Sequence, residues 1–377
     1  MKSSKVLSAL SIFVICLMSL FVLAACGDTE ETTVAETTTT AAPTTAAPTT
    51  TAAATEAAVD EDNRPLPPEG YMYSYLTGEL IETSKGTLRP LGVQIDNERY
   101  ALPQCGISSA DIIYEVPIEA DEVRLTAIFQ DISDLERVGP IRSARSYHPG
   151  ILAEYDGIFI HNGHSKYALS ILKDENCDDI ELVDVDNSYE FKSSDHRNGH
   201  NDFTNSKLME KRIAYYEFER TISSDFTYKF KFTTEAAPTL LENGSSAVKV
   251  TTGYTQNKSY FEYNAEEGVY YRFDKRFSDN KHIDGDTGEQ LTCKNIIIQY
   301  CTYDIESDGK NKDIHTVGTG TGAFVTNGKV VNITWSKASY WDNTHYYYED
   351  GTEIVLNQGK TWVCIVLPSL TGESKFE

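Results

Sequence analysis

The chain has 377 residues, with 33 Lys and Arg against 57 Asp and Glu, a formal net charge of −24 and 40% hydrophobic residues. A surface of that sign repels phosphate backbones and anionic membrane faces within a Debye length of about 8 Å, so nucleic acid is excluded as an expected partner. The length is more than one ordinary core needs and suffices for two.

Residues 1–25 read as a lipoprotein signal peptide. Lys2 and Lys5 give a basic n-region, Val6 to Leu23 an apolar h-region, and Leu23-Ala24-Ala25-Cys26 a small-residue cleavage pattern abutting a cysteine. Cys26 is the expected lipidation site, and its diacylglyceryl chains would hold the exported protein at the outer face of the cytoplasmic membrane. The apolar run is nearly long enough to stay as a transmembrane anchor, but the small residues beside Cys26 favour cleavage and lipidation. Loss of Lys2 and Lys5, with no acid lost, takes the charge from −24 to −26.

Residues 26–62 are Thr, Ala, Pro and Glu with almost no large apolar side chain, so they cannot bury a core that offsets their ordering entropy. They are expected to form a disordered tether with a coil dimension of roughly 30–35 Å.

Residues 63–225 are expected to form an N-terminal α+β domain. Leu91 to Ile95, Asp111 to Val116, Arg124 to Phe129 and Asp156 to His161 are short apolar runs of strand type, whereas Tyr167 to Lys173 and Thr204 to Ala214 look helical. Residues 226–377 are expected to form a mainly antiparallel β domain, which makes the fold class α+β. Its strands are read at Phe226 to Phe232, Ala247 to Tyr254, Ser259 to Tyr263, Gly268 to Phe273, Asn295 to Thr302, Gly322 to Val325, Val330 to Trp335 and Thr361 to Leu367. Asn327-Gly328 and Asp350-Gly351 are hairpin-turn pairs, because both residue types tolerate positive φ.

Of seven cysteines, Cys16 leaves with the signal and Cys26 is acylated, so Cys105, Cys177, Cys293, Cys301 and Cys364 remain. They show no CxxC and no Cys/His spacing suited to zinc, and most are expected as buried small hydrophobes. A Cys293–Cys301 bridge is the one disulfide this exported chain suggests.

The strongest local motif is Gly139-Pro140-Ile141-Arg142-Ser143-Ala144-Arg145-Ser146-Tyr147. Two guanidinium groups beside hydroxyls suit a carboxylate or phosphate, since the planar fork donates two parallel hydrogen bonds. The bland reading pairs Arg142 and Arg145 with internal carboxylates such as Glu115 or Glu119, as braces. His161-Asn162-Gly163-His164 follows an apolar strand, and His196 and His200 add two imidazoles. HxxH after a strand lacks the helical spacing of a zinc protease, so no metal and no cofactor are expected. Glu115 and Glu119 are the candidate catalytic carboxylates, although Pro117 lies between them and solvated or Arg-paired side chains are the favoured reading of both.

Arg89-Pro90-Leu91-Gly92-Val93-Gln94-Ile95-Asp96-Asn97, Pro103-Gln104-Cys105-Gly106, Ala110-Asp111-Ile112-Ile113-Tyr114-Glu115, the Gly139 to Arg145 motif and His200-Asn201 resemble the YerB-like lipoproteins, catalogued as domain of unknown function 3048. His282-Ile283-Asp284, Thr287 to Leu291, Asn327-Gly328-Lys329, Thr334-Trp335 and Gly359 to Val363 continue that resemblance through the C-terminal half. It implies a lipid-anchored extracytoplasmic protein of Gram-positive type with an N-terminal α+β and a C-terminal β domain, and it supplies no reaction. Two positions depart from the pattern: Cys105 replaces a small residue, and Gly199 replaces a proline before His200.

The functional expectation is a binding or scaffolding module for an anionic wall component or an envelope protein. Arg142, Ser143, Arg145, Tyr147, His161, His164, His200, Asn201 and Asn97 form its expected ligand-binding set. A hydrolase-like envelope enzyme using the histidines with Glu115 or Glu119 is the alternative. No nucleophile elbow, phosphate loop or dinucleotide fingerprint is present in the sequence.

Overall fold

The computed structural model describes residues 59–60, 64–183 and 190–377. The signal peptide, Cys26 and almost all of the expected tether lie outside those residues. Among the described residues no helix is long and apolar enough to cross a membrane.

Four runs that the sequence writes as continuous apolar stretches are strands buried along their whole length: Leu91–Ile95, Ile112–Pro117, Val123–Phe129 and Thr361–Val366. A strand covered on both faces has no solvent side on which to alternate. All four belong to one eleven-stranded sheet. From one edge its main path runs Ser245–Ser246, Lys329–Lys337, Gly318–Thr326, Asn295–Tyr300, Thr361–Val366, Ile112–Pro117, Val123–Phe129, Leu91–Ile95, Ile158–His161 and Asp179–Glu181. Thr344–Tyr347 adds to the Lys329–Lys337 strand. At the centre Thr361–Val366 pairs in parallel with Asn295–Tyr300 on one side and with Ile112–Pro117 on the other, where Cys364 stands opposite Glu115. The two halves of the chain therefore share one hydrogen-bonded sheet.

One face of this sheet packs a core containing Val93, Leu125, Ile298 and Trp362, and the other a core containing Tyr114, Ile128, Phe159 and Val363. A second, antiparallel sheet of five strands, in the order Thr292–Cys293, Val269–Phe273, Tyr260–Asn264, Lys249–Thr251 and Lys375–Phe376, adds Val250, Phe261 and Tyr270 to the first core. The result is α+β, with the few helices concentrated in the N-terminal half and strands dominating the C-terminal half.

The expected helix near 204–214 forms over Ser206–Tyr216, where the Asn205 side chain caps it by accepting from Leu208 N, and Glu217 ends it at φ 58°. His148–Ala153 is a helix that the sequence pattern did not signal. The Phe226 to Phe232 run makes a strand only at Lys231–Phe232. Phe230 and Phe232 instead pack in the core, Phe230 beside Tyr155, while Phe226 and the exposed Tyr228 lie against Tyr75 and Lys229 is drawn inward to Glu154. Asn327 and Gly328, at φ 49° and 71°, make the tight turn between Gly318–Thr326 and Lys329–Lys337.

Cys105, Cys177, Cys293, Cys301 and Cys364 are all free thiols, so the suggested Cys293–Cys301 bridge does not form. The Asn295–Tyr300 strand separates that pair by about 20 Å at a rise of 3.3 Å per residue, far beyond disulfide reach.

Candidate anion-binding site

Arg124 lies in the Val123–Phe129 strand with 6% of its surface exposed. Its guanidinium turns toward the 141–145 segment, where it donates to Ser143 O. That segment is pinned on both sides: Arg142 N donates to Gln94 O at 2.9 Å, while Asn162 N donates to Arg142 O at 3.0 Å and Ala144 N to Gly163 O at 2.9 Å. Arg124, Arg142 and Arg145 thus gather around the Ser143 peptide. Burial, and next the nearby Arg145, hold the Arg124 guanidinium down to about 10. No carboxylate among the described residues forms an ion pair with it.

The other two arginines are engaged differently. Arg145 grips Glu119 with a bidentate fork, its Nη2 2.7 Å from Oε2, and its Nη1 donates to Ala144 O at 3.0 Å. Burial pushes the Glu119 carboxyl up, but the Arg145 bonds outweigh it and leave the group below its ordinary range. Arg142 keeps 34% of its side chain exposed, with Nε 3.0 Å from Asp96 Oδ2 and Nη1 donating to Gly199 O at 3.1 Å. Its Nη2 has no protein acceptor among the described residues.

His200 borders Arg142, with Nδ1 2.8 Å from the same Asp96 oxygen and Nε2 3.2 Å from Glu98. Asp96, Glu98 and His200 place donor atoms within 4.8 Å of one another, a set with metal-ligand chemistry. Arg142 already brings a positive charge to the Asp96 oxygen that a metal would use. On the opposite side, His161 is fully buried, with Nδ1–H donating to Gly163 O at 2.8 Å and Nε2 3.1 Å from Asp179. His164 lies beside it, rings 6.4 Å apart, and faces Glu181 at 3.8 Å.

The remaining expected residues serve the interior. Tyr147 is buried and donates to Pro117 O at 2.7 Å. Asn201 closes the loop over 193–201, accepting from Gly199 N and donating to Ser193 O. Asn97 is 1% exposed, and its Oδ1 accepts from Gln104 Nε2 at 3.0 Å and from Arg276 Nη2 at 2.9 Å. Glu115 is fully buried beneath the second sheet, where Arg272 Nη2 lies 2.7 Å from both its oxygens. Asn257 and Trp362 donate to those oxygens as well, which leaves Glu115 no path to a substrate. Glu115 and Glu119 therefore do not converge as an acid–base pair.

The sequence reading passed over Arg124, Glu98, Arg272 and Arg276. A signal existed for Arg124, because an arginine opening a strand of otherwise core-type residues needs a polar destination.

Two family descriptions match in chain order: the protein of unknown function DUF3048 N-terminal domain over residues 76–219, and its C-terminal domain over residues 248–363. The chain is 30% identical over 306 residues to the Bacillus subtilis (strain 168) protein named "Putative lipoprotein YerB", covering 79% of this chain and 87% of that one. It is also similar to the crystal structure of YerB protein from Bacillus subtilis, at a TM-score of 0.70 and 27% identity over 81% of this chain and 99% of that one.

Proposed function

This chain belongs to the DUF3048 family, and on that premise we propose that it is a lipid-anchored envelope protein that binds an anionic wall component or partner at Arg124 and Arg142, on a segment braced by Arg145. The anchor is the diacylglyceryl group expected on Cys26. Its support is the cleavage pattern before that cysteine and the lipoprotein name carried by the Bacillus subtilis relative. The fold then works outside the cytoplasmic membrane, within tether reach of the wall.

One observation carries the binding reading: Arg124 is buried and makes no direct ion pair among the described residues, with Asp96 as the nearby carboxylate whose charge offsets it only in part. A desolvated cation with no carboxylate bonded to it is costly, and an anion docking beside it recovers part of that cost. Arg142 supplies the solvent-facing part of the site, because its Nη2 remains open to a ligand. Arg145 is saturated by Glu119 and fixes the backbone on which Arg142 stands. Ser143, His164 and His200 form the rim, and no reaction is assigned.

The test is equilibrium binding of isolated wall polymer and of anionic wall peptides to the mature protein. Arg142→Ala is expected to weaken binding while the melting temperature stays close to wild type, and Arg142→Lys to restore only part of it, since an ammonium lacks the fork. Equal binding by wild type and Arg142→Ala would sink the proposal. Cell fractionation checks the anchor: Cys26→Ala should leave the precursor uncleaved or release the protein, whereas unchanged maturation and detergent behaviour would remove the lipoprotein assignment.

A further inference from the structure

The second sheet carries on its outer face a feature that the arginine site does not use. Period-two alternation sends Val250 and Phe261 into the core, so Lys249, Thr251 and Tyr260 stand on the opposite face. Lys375 lies on the neighbouring strand at the register position facing Thr251 and joins them. Lys258 and Lys275 enter from loops at one end. Together they line a groove of about 920 Å³, walled on the far side by the 369–373 segment.

The charge of this groove runs against that of the molecule. Four lysines and one acid, Glu373, line it, with Glu262 and Glu377 acting on Lys249, in a chain of net charge −24. Lys249 is committed to Glu262 at 2.7 Å and lies 4.2 Å from the centre of the Tyr260 ring. Lys258, Lys275 and Lys375 are exposed and make no ion pair among the described residues. Threonine, serine and tyrosine side chains between them offer hydrogen bonds at intervals along the groove. The walls are fixed: Lys275 N donates to Asn257 O at 3.1 Å, and Asn257 is tied to the buried Glu115. At Gly253, φ 81°, an added Cβ would meet Glu373 Cβ at 2.9 Å, so a larger residue could not let the 369–373 wall close this tightly.

We propose that this groove is a second binding site, and that it takes a segment of a linear, hydroxyl-bearing phosphodiester polymer. Separated ammonium groups act as adjustable point charges and match phosphates repeated along a flexible chain, whereas planar carboxylate recognition favours arginine forks. The hydroxyl side chains match the polyol between phosphates. An anionic bilayer is the poorer fit, because the lysines line a concave channel while the surrounding acidic surface is repelled by a charged plane. The inference stands independently of the arginine site.

The test is calorimetric titration of the mature protein with a short glycerol-phosphate oligomer, alongside inorganic phosphate, polyglutamate and phosphatidylglycerol vesicles. The oligomer is expected to bind in a salt-sensitive manner, more tightly than phosphate and polyglutamate. K258E/K275E/K375E should lose at least roughly tenfold in affinity with an unchanged melting temperature, as these side chains are exposed and unpaired. The triple variant should keep the binding of anionic wall peptides that Arg142→Ala weakens, which separates this site from the arginine cluster. Wild-type affinity in the triple variant, a stronger response to polyglutamate, or binding to vesicles without binding to the oligomer would each overturn the proposal.

Discussion

Arg272 and Glu115 form an ion pair with neither side chain exposed to solvent, and both carboxylate oxygens lie 2.7 Å from one guanidinium nitrogen. Glu115 comes from a strand of the N-terminal half and Arg272 from the second sheet of the C-terminal half. The pair continues through His282, whose Nδ1 is 2.9 Å from Arg272 Nη1 and whose Nε2 lies 2.8 Å from Gln104. Gln104 then reaches Asn97. A buried pair of this kind is weak evidence for stability, yet removing one partner strands the other charge. Arg272→Met is expected to cost about 3–5 kcal/mol, read as a lowered urea midpoint. Glu115→Leu combined with Arg272→Met should recover a large share of that loss. A single variant that unfolds at the wild-type midpoint would show that the network carries little.

The two motif arginines should separate in stability. Arg145 and Glu119 keep only 14% and 23% of their side chains exposed and share two charge-assisted hydrogen bonds. Arg145→Ala should therefore cost about 2 kcal/mol. Arg142→Ala, with a third of the side chain in solvent, should cost less than about 1 kcal/mol. Thermal melts of the two variants at matched salt check this order, and a larger loss for Arg142→Ala would mean that the braces have been assigned the wrong way round.

Local pattern carried much of this fold. Leu91–Ile95, Val123–Phe129, Thr361–Val366 and the Asn327-Gly328 turn declare themselves through apolar runs and turn chemistry. The parallel pairing of Thr361–Val366 with Ile112–Pro117 is invisible locally, since nothing within either strand names a partner hundreds of residues away. The site was partly legible for the same reason. The Arg142/Arg145 motif stands out because its residues are adjacent, and pairing of Arg145 with Glu119 was one of the two readings. Arg124 becomes part of the site only because the 141–145 segment crosses the end of its strand, and Glu115 looks catalytic until the second sheet is laid over it.

Glu154 sets an acid limit. Burial raises its carboxyl, but Lys229 and Lys337 outweigh burial and bring it down to about 2. Both lysines bond it, with Thr344 Oγ1 donating at 2.8 Å. A depressed carboxylate contributes stability that is complete above its unfolded value of about 4.3 and is lost as pH falls through the folded value. Lys229 has the opposite sense: burial holds it at about 8, so its own contribution improves only as pH rises past that value. The difference in melting temperature between wild type and Glu154→Gln should be large at pH 7 and shrink steadily between about pH 4.5 and pH 2. A difference that stays constant down to pH 2.5 would remove Glu154 from the acid response.

The shared sheet makes the halves interdependent. If residues 63–225 are expressed alone, the Ile112–Pro117 strand loses Thr361–Val366 and becomes an edge whose residues are all buried in the intact protein. An unpaired apolar edge recruits other chains. The same cut removes Arg272, Asn257 and Trp362 from around Glu115 and exposes the first core where Trp362 and Phe261 close it. The N-terminal half alone should therefore be insoluble, or soluble without a cooperative melt. Co-expression with residues 226–377 should restore a single transition, and nicking the folded protein near 221–225 should leave both fragments eluting together on size exclusion. A soluble, monomeric 63–225 fragment with its own sharp melt would show that the N-terminal half closes its core unaided.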